Sequence, residues 1–142
     1  MCHAAIHHYQ SMRREGSIQG ASPHQLILIL FNNALERMTM ARGCIARAEI
    51  AEKAHHIAVA ASILDGLRAM ANPDADRDMV DNLRALYDYC IRLLLRANLH
   101  NETALLDEAA GLIREIRTAW VQIPAEYHHF GNQHEPAAAA AG

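Results

Sequence analysis

Two Glu-x-x-His units, Glu52-Lys53-Ala54-His55 and Glu126-Tyr127-His128-His129, stand far apart in a chain of 142 residues with ten histidines. In a helical protein such a pair is half of a di-iron carboxylate centre, which adds a glutamate from each of two further helices. The spacing argues against that chemistry here. At about 100° per residue, Glu52 and His55 point away from the Ile57 to Leu64 face of their own helix. Glu126 lies beyond Pro124, a natural helix stop. The histidines include the neighbouring pairs His7-His8, His55-His56 and His128-His129, and adjacent helical positions diverge too far to converge on one ion. Solvated histidines account for them, and neither a metal nor another cofactor is expected.

Catalytic residues are equally hard to find. No nucleophile stands beside a partner histidine, and the chain lacks a Gly-rich phosphate loop or a P-loop lysine. Ser22 is explained as a helix cap, and Asp88, between two tyrosines, reads as a solvated or hydrogen-bonding residue. Cys2, Cys44 and Cys90 have no CxxC spacing, and the latter two fall at apolar helical positions, as free thiols in a reducing cytosol do. The net charge is −3, with Lys and Arg scattered along helix faces. Without a dense basic stripe to meet phosphates, nucleic acid is not an expected partner. The longest strongly apolar stretch, Leu26 to Phe31, falls far short of a membrane span, and Met1 to His8 has no cationic n-region followed by an apolar run, so no secretory leader is expected. A cytoplasmic protein that is not an enzyme is expected.

Four long stretches with helical periodicity fill most of the chain, and no period-2 segment competes with them. The first opens with Ser22 as cap, Pro23 at the first helical position and Gln25 reaching back in a capping box. Its core row is Ile27, Leu30, Phe31, Ala34, Met38, Ala41 and Ile45, with Leu26, Leu28, Ile29 and Leu35 outside or at its edge. The half from Leu26 onward is thus apolar nearly all round, as in a helix at the centre of a bundle or one that meets a partner.

A second helix spans about Ala51 to Met70, with Ile57, Ala60, Ala61, Leu64 and Leu67 inward, and Asn72-Pro73 ends it. Asp74 or Asp76 caps the third, and Asn98 to Asn101 turns into the fourth. That last helix runs to about Ile123 with Leu105, Ala109, Leu112, Ile116, Trp120 and Ile123 on one face. Short connections favour antiparallel neighbours. The expected fold is all-α, an elongated up-down four-helix bundle at residues 21–124. A flexible segment with a short helix (Ile6, Tyr9, Met12) precedes it at 1–20, and a low-complexity disordered tail follows at 125–142.

Asn82 to Asn98, NLRALYDYCIRLLLRAN, carries more apolar surface than one side of a small bundle hides. Met79, Val80, Leu83, Leu86, Tyr87, Cys90, Leu94 and Ala97 form a core stripe. A second row of Asn82, Leu86, Tyr89 and Leu93 runs along its flank, and Leu95 lies away from both. Two positions apart, Tyr87 and Tyr89 face about 160° apart. Tyr87 is therefore read as core and Tyr89 as a partner contact.

In the same segment Asn82-Leu83, Leu86-Tyr87-Asp88-Tyr89, Arg92-Leu93 and Ala97-Asn98 resemble the third-helix signature of the flagellin export chaperones, the FliS family. Tyr9-Gln10, Ala21-Ser22-Pro23-His24-Gln25-Leu26, Ala41-Arg42-Gly43 and Ala119-Trp120 resemble that family in the same order, over roughly Tyr9 to Pro124. The resemblance implies the same bundle and a cytoplasmic chaperone. Such a chaperone binds the disordered carboxy-terminal region of flagellin, prevents premature polymerisation and keeps it competent for type III export. Components of the export apparatus are a further candidate partner. Tyr9 and Gln10 match a Tyr-Gln pair that the family implicates in its flagellin site.

A client that is disordered when free and amphipathic lays its apolar faces into helical grooves. The candidate contacts are Tyr9, Gln10, Leu26, Ile29, Asn82, Leu86, Tyr89 and Leu93. The alternative is a structural bundle subunit whose apolar strips self-associate tightly, as in a symmetric dimer, whereas a chaperone with an unoccupied groove is expected to form at most a weak homodimer.

Overall fold

Ser22 caps the first helix by accepting from the Gln25 backbone N–H at 3.2 Å, while Gln25 Oε1 accepts from the Ser22 N–H at 2.9 Å. With Pro23 at the first position, two of the unpaired donors at that end are satisfied reciprocally, as the sequence predicts. The computed structural model describes residues 22–71 and 76–123. Within them are α1 (Pro23–Ala46), α2 (Ile50–Ala69), α3 (Arg77–His100) and α4 (Thr103–Val121). Asp76 is the cap of α3, accepting from the Asp78 N–H at 2.9 Å. Asn72, Pro73, Asp74 and Pro124, read as breaks or caps, lie outside the described residues.

Each turn has its own device. After α1 the N–H groups of Ala48 and Glu49 return to the carbonyls of Ile45 and Cys44, at 3.2 and 2.9 Å. This is a Schellman closure, and it holds Ala48 at a left-handed φ of 57° where glycine is usual. After α3 the left-handed residue is Asn101, a type that tolerates that region.

The helices form a closed ring in which α1 packs on α2 and α4, and α3 packs on α2 and α4. Cross-helix pairs fix the antiparallel register. Arg42 near the end of α1 reaches Asp107 at the start of α4 at 3.0 Å. His24 at the start of α1 meets Trp120 at the end of α4. Arg68 of α2 lies 2.8 Å from Asp88 of α3, a close ion pair not aligned as a hydrogen bond. With 24 residues each, α1 and α3 are about 36 Å long, so the bundle is elongated.

Phe31, Met38, Ile57, Ile63, Leu64, Leu94, Leu106 and Ile113 fill the centre. Ala34, Ala41, Ala60, Ala61, Ala97 and Ala109 are fully buried between them, and such small side chains let helix axes approach closely. All five inward positions expected on α2 are buried. On α1 the expected row holds except that Ile27 and Ile45 are half-buried, while Leu26 and Leu35 are buried beside it. The all-round apolar start of α1 is therefore largely covered by its own neighbours.

The last helix is turned relative to expectation. Its buried residues are Leu106, Ala109, Ala110 and Ile113, while Leu105, Leu112, Ile116 and Trp120 are only partly buried. The sequence offers a wide apolar arc, and within it Leu106 and Ile113 take the core side. Asp107 pairs with Arg42, and Arg117 Nη1 donates to Asn32 Oδ1 at 2.8 Å, both at the exposed seam with α1.

Candidate functional site

Among the described residues, the first turns of α3 carry one of the exposed apolar stretches of the bundle. Met79, Leu83 and Leu86 sit on the same stripe as Cys90, Leu94 and Ala97, yet only Val80 and the residues from Tyr87 onward are buried. Met79 is 61% exposed, Leu86 38% and Tyr89 39%. Together with exposed Asn82 they make a row at i, i+3, i+7 and i+10 along one side of the helix. Asn82, Leu86 and Tyr89 belong to the flank row expected from the sequence, whereas Met79, expected on the core stripe, is exposed with them.

The row is shorter than expected. Leu93 is 2% exposed and belongs to the core. On α1, Leu26 is 7% exposed and faces inward, and Ile29 is half-buried. Neither Leu93 nor Leu26 offers the free side chain first expected of it. Tyr9, Gln10, Ile6 and Met12 lie outside the described residues.

The tyrosines separate as their angular spacing requires. Tyr87 is buried, and burial, then the nearby Cys90, pushes its hydroxyl well above the usual range. Burial, then the Glu108 charge, raises the Cys90 thiol to about 11, leaving it protonated at neutral pH. Tyr89 points outward, and its hydroxyl donates to Glu108 Oε2 on α4. The guanidinium carbon of Arg92 lies 5.9 Å from the Tyr89 ring centroid. That hydrogen bond fixes which parts of α3 and α4 lie side by side. One turn back from Tyr89 stands Leu86, and one turn on from Glu108 stands half-buried Leu112, followed by Ile116. The exposed row of α3 thus borders a half-buried apolar flank of α4.

Glu52 and His55 are both exposed on the outside of α2, away from Ile57 and Leu64. The structure instead gathers Cys44, Glu49 and Glu52, whose ligand atoms lie within 4.8 Å of one another. Arg47 already supplies a cation there. Its guanidinium hydrogen-bonds Glu49 and lies 3.9 Å from Cys44 Sγ, and it holds the Glu49 carboxyl below its usual range. Contact with Glu49 raises the Glu52 carboxyl.

Lys53 is the residue that sequence reasoning passed over. It is buried, and its ammonium donates to the Asn98 carbonyl at 2.8 Å and to Asn101 Oδ1, under the end of α3. A signal existed, since Lys53 falls in register with Ile57, Ala60, Leu64 and Leu67. Glu108 had none, because its role depends on which flank of α4 meets α3.

A closed helical core with a row of exposed Met79, Leu86 and Tyr89 along one helix, and no described helix long and apolar enough to cross a membrane, has the layout of a protein-binding module. The chain belongs to the family described as flagellar protein FliS, which it matches over residues 5–127. It is similar to the flagellar secretion chaperone FliSB of Pseudomonas aeruginosa, 38% identical over 116 residues that cover 82% of this chain and 92% of that protein. It is also similar to the flagellar secretion chaperone FliS of Salmonella typhimurium, at 36% over 121 residues covering 84% and 90%. The FliS of Bacillus subtilis shares 29% over 118 residues, covering 83% and 87%.

Proposed function

We propose that this protein is a cytoplasmic flagellar secretion chaperone that binds the carboxy-terminal region of flagellin, prevents its premature polymerisation and holds it competent for type III export. The observation that carries this reading is the row Met79, Asn82, Leu86 and Tyr89. It lies where a bundle helix would ordinarily be covered, in a chain whose relatives are named flagellar secretion chaperones. An amphipathic segment laid along it buries apolar area worth about 25 cal/mol per Å² and loses several kcal/mol to its own ordering. Nothing in such a capture needs nucleotide hydrolysis.

Leu86 and Tyr89 are the central contacts, Asn82 supplies an amide that both donates and accepts, and Ile29 belongs to a secondary edge. Tyr9 and Gln10 enter through the family resemblance alone. The chaperone domain is placed at residues 21–124, with 1–20 and 125–142 outside it. Export-apparatus components are a further class of partner.

Calorimetric titration with a peptide from the flagellin carboxy-terminal region tests the reading. The expected result is 1:1 binding with a negative heat-capacity change, weakened by Leu86→Ala and Tyr89→Ala in variants that keep their helicity. Absence of binding to the folded protein overturns it. Because an uncovered apolar row also suits a second copy of the chain, sedimentation over a concentration range decides the alternative. A tight dimer that excludes the peptide identifies a self-associating structural subunit.

A further inference from the structure

Tyr89 is an exposed aromatic that does not stand alone. Its hydroxyl is engaged by the Glu108 carboxylate from the neighbouring helix, and the Arg92 guanidinium sits within cation–π range of its ring. An exposed tyrosine without such partners exchanges rotamers, and that freedom is lost when a ligand immobilises it. Here the side chain is tied at its far end to α4. The ring therefore stands fixed along the seam between α3 and α4, beside Leu86.

We propose that Glu108 is a positioning residue of the client site, holding Tyr89 in its binding orientation before the client arrives. This rests on the flagellin reading above and adds to it a residue on α4, outside the α3 row. The occupant is an amphipathic helical segment of the client's carboxy-terminal region, laid along Met79, Leu86 and Tyr89. Glu108 need not touch that segment, because its effect passes through the tyrosine hydroxyl. Aromatic anchors fixed before contact contribute more than their area alone suggests, since little side-chain entropy remains to be lost.

The same hydrogen bond gives a signature that does not depend on binding. Contact with Glu108 is the first cause of the raised Tyr89 ionisation, followed by burial and the Glu108 charge. Loss of the carboxylate should therefore lower the tyrosine's titration toward its ordinary range. A purely structural role at the surface would leave client affinity untouched.

The test titrates the full-length protein with the flagellin carboxy-terminal peptide as wild type, Glu108→Ala, Glu108→Gln, Tyr89→Phe and the Tyr89→Phe/Glu108→Ala double variant. Tyrosine-ring NMR follows Tyr89, assigned by its loss in Tyr89→Phe. Glu108→Ala and Tyr89→Phe are each expected to weaken binding about three- to tenfold. The double variant should be no weaker than either alone, because both remove one interaction. Glu108→Gln, whose amide oxygen still accepts from the hydroxyl, should recover most of the affinity. Wild-type binding that Glu108→Ala leaves unchanged, or effects that simply multiply in the double variant, overturns the positioning role alone. A wild type that does not bind the peptide overturns the flagellin reading and the positioning role with it.

Discussion

The Lys53 ammonium of α2 lies beneath the last turn of α3, where it donates to the Asn98 carbonyl at 2.8 Å and to the Asn101 side chain. A helix C-terminus presents unpaired carbonyls and partial negative charge, so a buried cation placed there is satisfied by the backbone itself. Its long stem packs among apolar neighbours. Lys53→Met keeps most of the packing and removes the cap, and should cost about 1–3 kcal/mol in chemical denaturation. A variant as stable as wild type would show that the contact carries no net weight.

The α1 to α2 turn holds an alanine where the backbone is left-handed. The steric penalty there is about 1–2 kcal/mol, part of which glycine returns through greater freedom in the unfolded chain. Ala48→Gly should thus raise stability by about 0.5–1 kcal/mol, read as a higher denaturation midpoint with an unchanged slope.

Leu86 and Leu93 are one heptad apart on α3 and should behave oppositely. Leu93→Ala opens a cavity in the core and should cost about 2–5 kcal/mol of stability. Leu86→Ala, at an exposed position, should change stability by less than about 1 kcal/mol while weakening client binding. If Leu93→Ala were stable and binding-defective, the boundary drawn between core and site would be in the wrong place.

Acid should weaken the contact between α1 and α2. Arg37 Nη1 lies 3.1 Å from His56 Nδ1, an arrangement in which the neutral ring accepts. Burial first, then the Arg37 charge, then His55, lowers the His56 pKa below its ordinary 6.5. The unfolded chain therefore takes up the proton more readily, and stability present above pH 6.5 is lost as pH falls through the lowered folded-state value. Between about pH 7 and 5 the His56→Gln variant should lose less stability than wild type, measured by denaturation at each pH.

Much of this architecture was legible because it depends on local chemistry. Ser22, Pro23 and Gln25 set the start of α1, and the row from Ile57 to Leu67 set the buried face of α2. The opposite faces of Tyr87 and Tyr89 followed from angular arithmetic alone. What failed depended on partners distant in sequence. Leu93 and Leu86 lie on the same flank row, and only tertiary packing makes one dry and the other wet. Leu106 and Ile113 form the buried face of α4 in place of Leu105, Leu112 and Ile116, and the pairs that accompany this orientation, Asp107 with Arg42 and Arg117 with Asn32, are announced by no periodicity. Glu108 escaped notice for the same reason, whereas Lys53 was passed over although its place on an apolar row was a readable signal.

The clasp between His24 and Trp120 joins residues 96 positions apart. The histidine Nε2 lies 2.8 Å from the Trp120 carbonyl, the indole N–H donates to the His24 carbonyl at 3.1 Å, and the rings stack with centroids 5.0 Å apart. During synthesis the apolar α1 leaves the ribosome first and its second covering, α4, leaves last. At about 5–20 residues per second, the start of α1 waits several seconds for the tryptophan that closes the ring. The chain thus passes through a brief interval in which its own apolar α1 needs shelter.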